Sequence, residues 1–257
     1  MGGVAQNLFS PERSAEVTAR RDKMQSRLIA IAAVAAALLV ATGAEAHHDD
    51  SPYHLAVRKP APPWSGPAVL NGEFQDLSSQ SLIKDKKWVV LFFYPLDFTF
   101  VCPTEIVEFD NRLKDFKALG AEVIGVSVDS KHTHLAWTRT AREDGGVGNI
   151  KYPLLSDLNK EIARNFGVLV EDEDDEHQGV TMRATFIIDP AGIIRSMSVH
   201  DEPIGRSVDE TLRLLESAQF AAANKGKGCP ANWKKGDKPI TANRKDSLDW
   251  FKTWGSK

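Results

Sequence analysis

The chain has 257 residues and a formal net charge of −3 at pH 7, with 42% hydrophobic and 26% charged residues. This balance is typical of a globular protein of one or two domains. No basic stretch interleaved with aromatic residues occurs in the sequence, so we expect no nucleic-acid partner.

The first 46 residues predict a secretory signal peptide. Four basic residues between positions 20 and 27 precede an apolar run over 28–41 and an Ala-Glu-Ala sequence at 44–46. The apolar run is shorter than the roughly 20 residues that a membrane span needs. A signal starting at Met24 would have an ordinary length, so residues 1–23 are predicted to be a dispensable leader or to precede the true start. The mature protein would then begin at His47; an uncleaved anchor helix is the alternative.

Strands and helices alternate along the rest of the chain. Asn71-Gly72 lies between two short apolar runs and predicts a tight hairpin within 68–77. The uninterrupted apolar run over 88–94 predicts a strand buried on both faces, and the β-branched run over 121–128 predicts a second. Other segments have weaker patterns: strands at 152–155, 184–188 and 193–199, and helices at 131–142, 158–166 and 208–222. This alternation predicts a mixed α/β sheet covered by helices on both faces.

Two segments of the sequence have compositions found in ligand-binding loops. Residues 145–148, Gly-Gly-Val-Gly, predict a flexible break and lack the preceding strand and following helix of a phosphate loop, so we reject nucleotide binding. Six consecutive acidic residues over 171–176 are interpreted as a solvated loop. A calcium site is the alternative there, although no glycine lies where an EF-hand loop would turn. We expect no cofactor and no metal.

The predicted strand over 88–94 leads through a short loop to Cys102-Pro103, where we predict the start of a helix. Proline suits the first helical position, and Glu105 favours the first turn. Apolar residues at helical spacing form one face: Ile106, Phe109, Leu113 and Phe116. The unpaired N–H groups and dipole of a helix N-terminus stabilise a thiolate, so Cys102 is a candidate nucleophile. A buried core cysteine is the alternative.

Residues 93–105, FYPLDFTFVCPTE, resemble the active-site signature of the typical two-cysteine peroxiredoxins. In this resemblance Pro95, Thr99 and Cys102 correspond to the family's active-site proline, threonine and peroxidatic cysteine. The resemblance extends over about residues 55–251. It implies an α/β thioredoxin-like fold with a mixed central sheet flanked by helices. The chain is then divided into a leader and signal peptide over 1–46, a thioredoxin-like domain over 47–223, and a C-terminal tail over 224–257.

The second and last cysteine, Cys229, lies in the polar tail. The residues alone leave a structural disulfide between Cys102 and Cys229 open, while the lack of a Cys-x-x-Cys sequence argues against a thioredoxin-type dithiol enzyme. Residues 228–237, GCPANWKKGD, resemble the resolving-cysteine segment of the same family. The resemblance implies an antiparallel homodimer bridged between Cys102 of one subunit and Cys229 of the other, and a decameric ring of such dimers.

Three charged residues complete the site that the resemblance implies. Arg183 matches the active-site arginine that precedes a strand, and Arg206, in IGRSVDE, matches the second arginine near the site. Glu105 resembles the acidic residue that orients this pair, and a role confined to the helix dipole is the alternative. The chain departs from the family where Ala184 replaces the usual glycine and where the preceding acidic loop is longer.

Two segments also resemble those of overoxidation-sensitive family members. They are the glycine-rich loop at 145–148 and Trp250-Phe251 near the C-terminus. If both pack over the site, they slow local unfolding and give a second peroxide time to oxidise the sulfenic acid to sulfinic acid. We therefore predict that Cys102 is sensitive to overoxidation.

The resemblance implies a thiol-specific peroxidase acting on hydrogen peroxide and organic hydroperoxides. Thr99, a cation at Arg183 and the Cys102 backbone N–H are the expected donors to the peroxide, and Pro95 would shield the sulfur from water. The expected reductant is thioredoxin or a protein similar to disulfide isomerase. A redox-regulated chaperone or scaffold, and a peroxide sensor, are the alternative functions.

The predicted signal peptide also sets the expected location. It directs the protein to the endoplasmic reticulum lumen or the cell exterior, and a periplasm or another organelle is the alternative. No membrane association is expected once the signal has been cleaved.

Overall fold

The computed structural model describes Tyr53 and residues 55–255. The predicted signal peptide and its anchor-helix alternative lie outside these residues. No helix among the described residues is both long and apolar enough to span a membrane.

Seven strands form one mixed sheet in the order β2-β1-β5-β4-β3-β6-β7. The strands are β1 Ser65–Leu70, β2 Glu73–Ser78, β3 Trp88–Phe93, β4 Ala121–Ser127, β5 Leu154–Ser156, β6 Arg183–Ile188 and β7 Ile194–His200. The neighbours β3 and β4, and β4 and β5, run parallel, whereas the other adjacent pairs are antiparallel. The predicted mixed sheet is therefore confirmed.

Helices flank the sheet and extend into the tail. They are α1 Ser79–Lys84, α2 Cys102–Asn111, α3 Leu113–Ala118, α4 Lys131–Arg139, α5 Glu161–Asn165, α6 Val208–Ala223 and α7 Arg244–Trp254. Between α6 and α7, a short antiparallel pair forms from β8 Lys227–Gly228 and β9 Ile240–Thr241.

Strand β3 lies at the centre of the core because both of its faces are covered. Val90 and Phe92 pack into one apolar cluster, which includes Phe109 of α2 with its ring stacked 4.3 Å from that of Phe92. Leu91 and Phe93 pack into a second cluster on the opposite face. Successive side chains of a strand point to opposite faces, so a strand buried on both sides is apolar without alternation.

The predicted hairpin is confirmed, and the geometry of its turn explains why Asn71 and Gly72 occur there. Leu70 pairs with Glu73, and the two residues between them, Asn71 and Gly72, have φ angles of 53° and 80°. Two consecutive positive φ angles define the type I′ turn, which asparagine and glycine adopt more readily than other residues.

Three predicted helices end earlier or start later than their patterns indicate. The apolar face starting at Cys102 is shared by two helices, α2 and α3, which meet at Arg112. Helix α4 ends at Arg139, and a short 3-10 turn follows. Helix α5 starts only at Glu161. The carboxylate of Asp157 accepts hydrogen bonds from the N–H groups of Ile162 and Ala163 in its first turn.

The prediction of a flexible break at 145–148 is wrong. Val147 is fully buried in the same cluster as Trp137, and the indole N–H of Trp137 donates to the Gly145 carbonyl at 2.9 Å. The N–H of Gly146 donates to the Ala141 carbonyl at 2.9 Å. Glycine occurs here because the backbone packs closely, and the loop is held in place.

We expect Gly146→Ala to destabilise the protein. A Cβ atom at this position would overlap the backbone carbonyl of Thr140, which cannot move aside like a flexible side chain. Overpacking of this kind costs about 1–3 kcal/mol. Urea unfolding followed by tryptophan fluorescence measures the loss.

Gly228→Ala is the matched control, because its Cβ would lie at an ordinary 3.5 Å from Ile240. Equal unfolding midpoints for the two variants would contradict the close packing of the loop.

Candidate active site

Cys102 lies at the first position of α2, directly after the loop that leaves β3. Its side chain is fully buried. Val101, the N-cap residue, makes no side-chain capping hydrogen bond, and proline follows Cys102 as predicted. The positive end of the helix dipole therefore lies beside a sulfur atom that is shielded from water.

The guanidinium of Arg183 makes the closest charged contact with this sulfur. Its Nη1 donates to Cys102 Sγ at 3.2 Å, and the Arg183 side chain is itself fully buried. Burial opposes the positive charge, but the hydrogen bond to Cys102 and the charges of Cys102 and Glu105 outweigh it and raise the pKa of Arg183. Arg183 is the first residue of β6. Its hydrogen bond to Sγ places the residue that we expect to act on peroxide beside Cys102.

Glu105 links the two arginines. It lies three residues after Cys102 on α2 and is 4% exposed. One carboxylate oxygen accepts from Arg183 Nη1 at 3.0 Å, and the other accepts from the side chain of Arg206 at 2.9 Å and from its backbone N–H at 2.8 Å. Glu105 therefore contacts both guanidinium groups, and the expectation that it orients them stays a prediction.

Arg206 contacts three elements around the site rather than the sulfur. Its guanidinium donates to the carbonyl of Phe93 at 2.6 Å and to that of Ala184 at 2.8 Å, and it lies over the ring of Phe92. Burial lowers the pKa of Arg206, while the ion pair with Glu105 opposes the shift. The contacts join the end of β3, the start of β6 and α2. Ala184, which replaces the usual glycine, is buried and supplies one of these carbonyls.

The loop residues Pro95 and Thr99 have different surroundings. Pro95 is buried, in keeping with a shielding role, and Thr99 is half-buried. The Thr99 hydroxyl donates to the Leu96 carbonyl at 2.8 Å. In this structure the hydroxyl proton therefore stabilises the loop, and the expected donation by Thr99 to peroxide stays a prediction.

Cys229 lies just after β8, at the start of the segment that resembles a resolving-cysteine segment. The thiol is half-buried and contacts the Ser217 carbonyl on α6, with Sγ 3.7 Å from the oxygen. Burial raises the pKa of Cys229, with smaller opposing effects of Ser217 and Arg213. Neither cysteine forms a disulfide within the chain.

Comparison with known proteins agrees with this geometry. A model of the AhpC/TSA family matches residues 57–197. Peroxiredoxin-4 of Rattus norvegicus is 48% identical over 205 residues, covering 79% of this chain and 72% of that protein. Peroxiredoxin-2 of Rattus norvegicus is 49% identical over 195 residues, covering 76% of this chain and 94% of that protein. The chain belongs to the AhpC/TSA family and is a peroxiredoxin.

A solved structure extends the likeness to the fold. The crystal structure of reduced 2-Cys peroxiredoxin from Plasmodium vivax matches with a TM-score of 0.72 and 41% sequence identity. The match covers 77% of this chain and 100% of the other. The predicted thioredoxin-like fold of this peroxiredoxin is thereby confirmed.

Sequence reasoning missed a buried polar network that holds the active-site loop. Asp97 accepts a hydrogen bond from the Tyr94 hydroxyl at 2.8 Å, and its other carboxylate oxygen lies 2.8 Å from Nδ1 of His134 on α4. The Asp97 backbone N–H donates to the carboxylate of Asp129. Burial raises the pKa of Asp97, and the hydrogen bond and charge of His134 oppose the shift. The available signal was the charge of Asp97 within the mostly apolar segment 93–101.

Among the described residues, three of this network could together bind a metal ion. Ligand atoms of Asp97, Asp129 and His134 lie within 4.8 Å of one another. Asp97 and His134 bond to each other, and Asp129 accepts from the Asp97 N–H and the Ser127 hydroxyl. We therefore assign this cluster to loop positioning.

The glutamate at position 202 was also missed. Its carboxylate accepts from Arg183 Nη2 at 3.2 Å, and its backbone carbonyl accepts from Arg183 Nε. Nothing in the local sequence marks this residue, because its partner Arg183 lies in β6, distant in the sequence.

The remaining predicted features lie away from the sulfur contacts. All six residues of the acidic run 171–176 are exposed, as expected for a solvated loop. In α7 the rings of Trp250 and Trp254 stack at 5.8 Å, and Phe251 and Trp254 are about half exposed. Helix α7 packs beside β9. The predicted sensitivity of Cys102 to overoxidation stays a prediction.

We expect Glu105→Gln to destabilise this peroxiredoxin by about 3 kcal/mol, because removing one charge from a buried ion pair leaves the partner charges uncompensated. Two buried guanidinium groups, those of Arg183 and Arg206, lose their shared carboxylate. Chemical denaturation gives the free energy of unfolding.

The control is Glu108→Gln, which removes the same charge from the exposed side of α2. If Glu105→Gln unfolds at the same denaturant concentration as this control, the proposed ion-pair role of Glu105 is wrong.

Proposed function

We propose that this protein is a thiol peroxidase that reduces hydrogen peroxide and organic hydroperoxides through Cys102. The single observation that supports this role most strongly is the hydrogen bond from buried Arg183 to the Cys102 sulfur. A guanidinium stabilises the thiolate and offers rigid donors to the oxygens of an incoming peroxide. The family membership of the chain supports the same reaction.

In the first step the Cys102 thiolate attacks the terminal oxygen of the peroxide. A sulfur–oxygen bond forms while the oxygen–oxygen bond breaks, so the sulfur is oxidised to sulfenic acid and the peroxide is reduced to an alcohol or water. Negative charge moves from sulfur to the departing oxygen, which takes up a proton. Donors held in place before the reaction stabilise this charge without having to reorganise.

In the second step the thiol of Cys229 from a partner subunit condenses with the sulfenic acid, forming a disulfide and releasing water. A dithiol protein such as thioredoxin, or one similar to disulfide isomerase, then reduces the disulfide by exchange through a mixed disulfide. The free Cys229 thiol, half-buried against α6, supports a separate resolving role. The peroxiredoxin relatives favour this cycle over the chaperone and sensor alternatives.

We also propose a homodimer, and a decameric ring of such dimers, as the working assembly. Resolution by a second subunit requires the dimer. The sequence before His47 supports entry into the secretory pathway, where the environment permits disulfides.

Peroxide treatment of the purified full chain is expected to convert it to a disulfide-linked dimer on a non-reducing gel. Cys102→Ser should stay monomeric on the gel and leave peroxide unconsumed, because the nucleophile is absent. Cys229→Ser should also stay monomeric but retain a sulfenic acid at Cys102 that dimedone traps. Circular dichroism of both variants checks that they fold.

A structural disulfide would give a different pattern. The wild type would then run as a monomer with an internal bond before any peroxide is added, and Cys229→Ser would lose stability. That result would contradict the proposed resolving role of Cys229.

Expression in cells with a secretory pathway should yield a mature protein whose first residue is His47. The Ala-Glu-Ala sequence at 44–46 is the predicted cleavage site. Amino-terminal sequencing or intact mass measures the product. An intact apolar segment at 28–41 would contradict cleavage and favour the anchor-helix alternative.

A further inference from the structure

Arg183, which contacts the Cys102 sulfur, is also hydrogen-bonded to Glu202, a residue outside the family signature. Glu202 lies in the turn that follows β7, and Arg183 lies at the start of the neighbouring strand β6. Arg183 pairs with His200 in the register of these two strands. The turn therefore returns next to Arg183, where both the carbonyl and the carboxylate of Glu202 accept hydrogen bonds from it.

The hydrogen bonds of Arg183 divide into two groups. Nε and Nη2 donate to Glu202, whereas Nη1 donates to Cys102 Sγ at 3.2 Å and to Glu105 at 3.0 Å. A guanidinium is planar and rigid, so fixing two of its nitrogens fixes the direction of the third. Residue 202 thus holds two of the three guanidinium nitrogens, Nε through its backbone carbonyl and Nη2 through its carboxylate, while Glu105 holds Nη1.

The turn around Glu202 is itself held. The Asp201 carboxylate accepts from the Glu202 N–H at 2.8 Å, and the Asp201 carbonyl accepts from the Ile204 N–H at 3.1 Å. The Glu202 side chain is 33% exposed, whereas that of Arg183 is fully buried. A change at Glu202 therefore alters the partner of Arg183 without opening the core.

We propose that Glu202 is a positioning residue that aims Arg183 at the reacting sulfur and peroxide. The inference rests on the proposed roles of Cys102 and Arg183. In this role, one carboxylate at the edge of the site governs how well the arginine donates.

Neutralising Glu202 has two opposite expected effects on the reaction of Cys102, one through the local charge and one through the position of Arg183. Two arginines and two glutamates form the cluster, so its formal charge is zero before the thiolate is counted: Arg183, Arg206, Glu105 and Glu202. Neutralising Glu202 makes the surroundings of the sulfur more positive, which favours the thiolate. The same change releases the guanidinium from a charge-assisted hydrogen bond and loosens its aim.

The experiment compares two reactions of Cys102 in the full chain. Both reactions require a thiolate and access to it, but only the reaction with hydrogen peroxide also requires aimed donors; alkylation by iodoacetamide does not. Rapid-mixing fluorescence follows the first reaction, and mass spectrometry of the Cys102 peptide follows the second. The variants are Glu202→Gln, which keeps the shape and loses the charge, and Glu202→Asp, which keeps the charge.

In Glu202→Gln we expect the rate constant with peroxide to fall about tenfold, which corresponds to about 1.4 kcal/mol of lost transition-state stabilisation. The loss is smaller than for removal of a whole donor because Arg183 is still present. The rate of alkylation should stay at or above that of the wild type. Glu202→Asp should recover part of the peroxide rate, since a shorter carboxylate can still attract the guanidinium.

Glu173→Gln is the control, because it removes one exposed negative charge from the acidic loop; both of its rates should match the wild type. A peroxide rate for Glu202→Gln within twofold of the wild type would overturn the inference. An equal fall in both reactions would also overturn it, since it would indicate general disruption of the site. Failure of the proposed function is distinct, because the wild type itself would then react no faster with peroxide than with iodoacetamide.

Discussion

Burying a sulfur anion is costly unless opposite charge and hydrogen-bond donors are buried with it. In this peroxiredoxin that requirement is met by Arg183, whose guanidinium lies 3.2 Å from Cys102 Sγ with almost no exposure to water. A second buried arginine would by itself create a further excess of positive charge. Glu105 compensates by accepting hydrogen bonds from both Arg183 and Arg206. The four groups are mutually dependent, since removing one leaves another charge unpaired in a dry environment.

The sheet brings these groups together. Phe92 on β3 pairs with Thr185 on the antiparallel strand β6, so Arg183 lies just beyond the end of β3. The chain leaving β3 forms the loop that ends at Cys102. Arg206 then bonds to the carbonyls of Phe93 and Ala184, one at each of these strand ends. The site therefore lies where a strand end, a strand start and a helix N-terminus meet.

The loop between β3 and α2 is held by polar contacts of its own. The Thr181 hydroxyl donates to the Tyr94 carbonyl at 2.8 Å, and Asp97 is bound by Tyr94 and His134. Hydrogen bonds between buried polar groups favour one conformation of the loop over others, although Nε2 of His134 is buried here without a partner in the described part of the chain. These contacts therefore hold in place the loop that leads from β3 to the buried Cys102.

Local chemistry was enough to predict several features from the sequence alone. The Asn71-Gly72 turn, the buried strand β3 and the helix start at Cys102-Pro103 depend on backbone preferences and apolar runs within a few residues. The resemblance added Arg183, Arg206 and Glu105 to the expected site, and the structure brings these three together with Cys102. The packed loop at 145–148 and the role of Glu202 escaped prediction, since each depends on a partner brought close only by folding. Hydrogen bonds and burial between distant segments are decided by the tertiary structure, because sequence patterns report only the preferences of neighbouring residues.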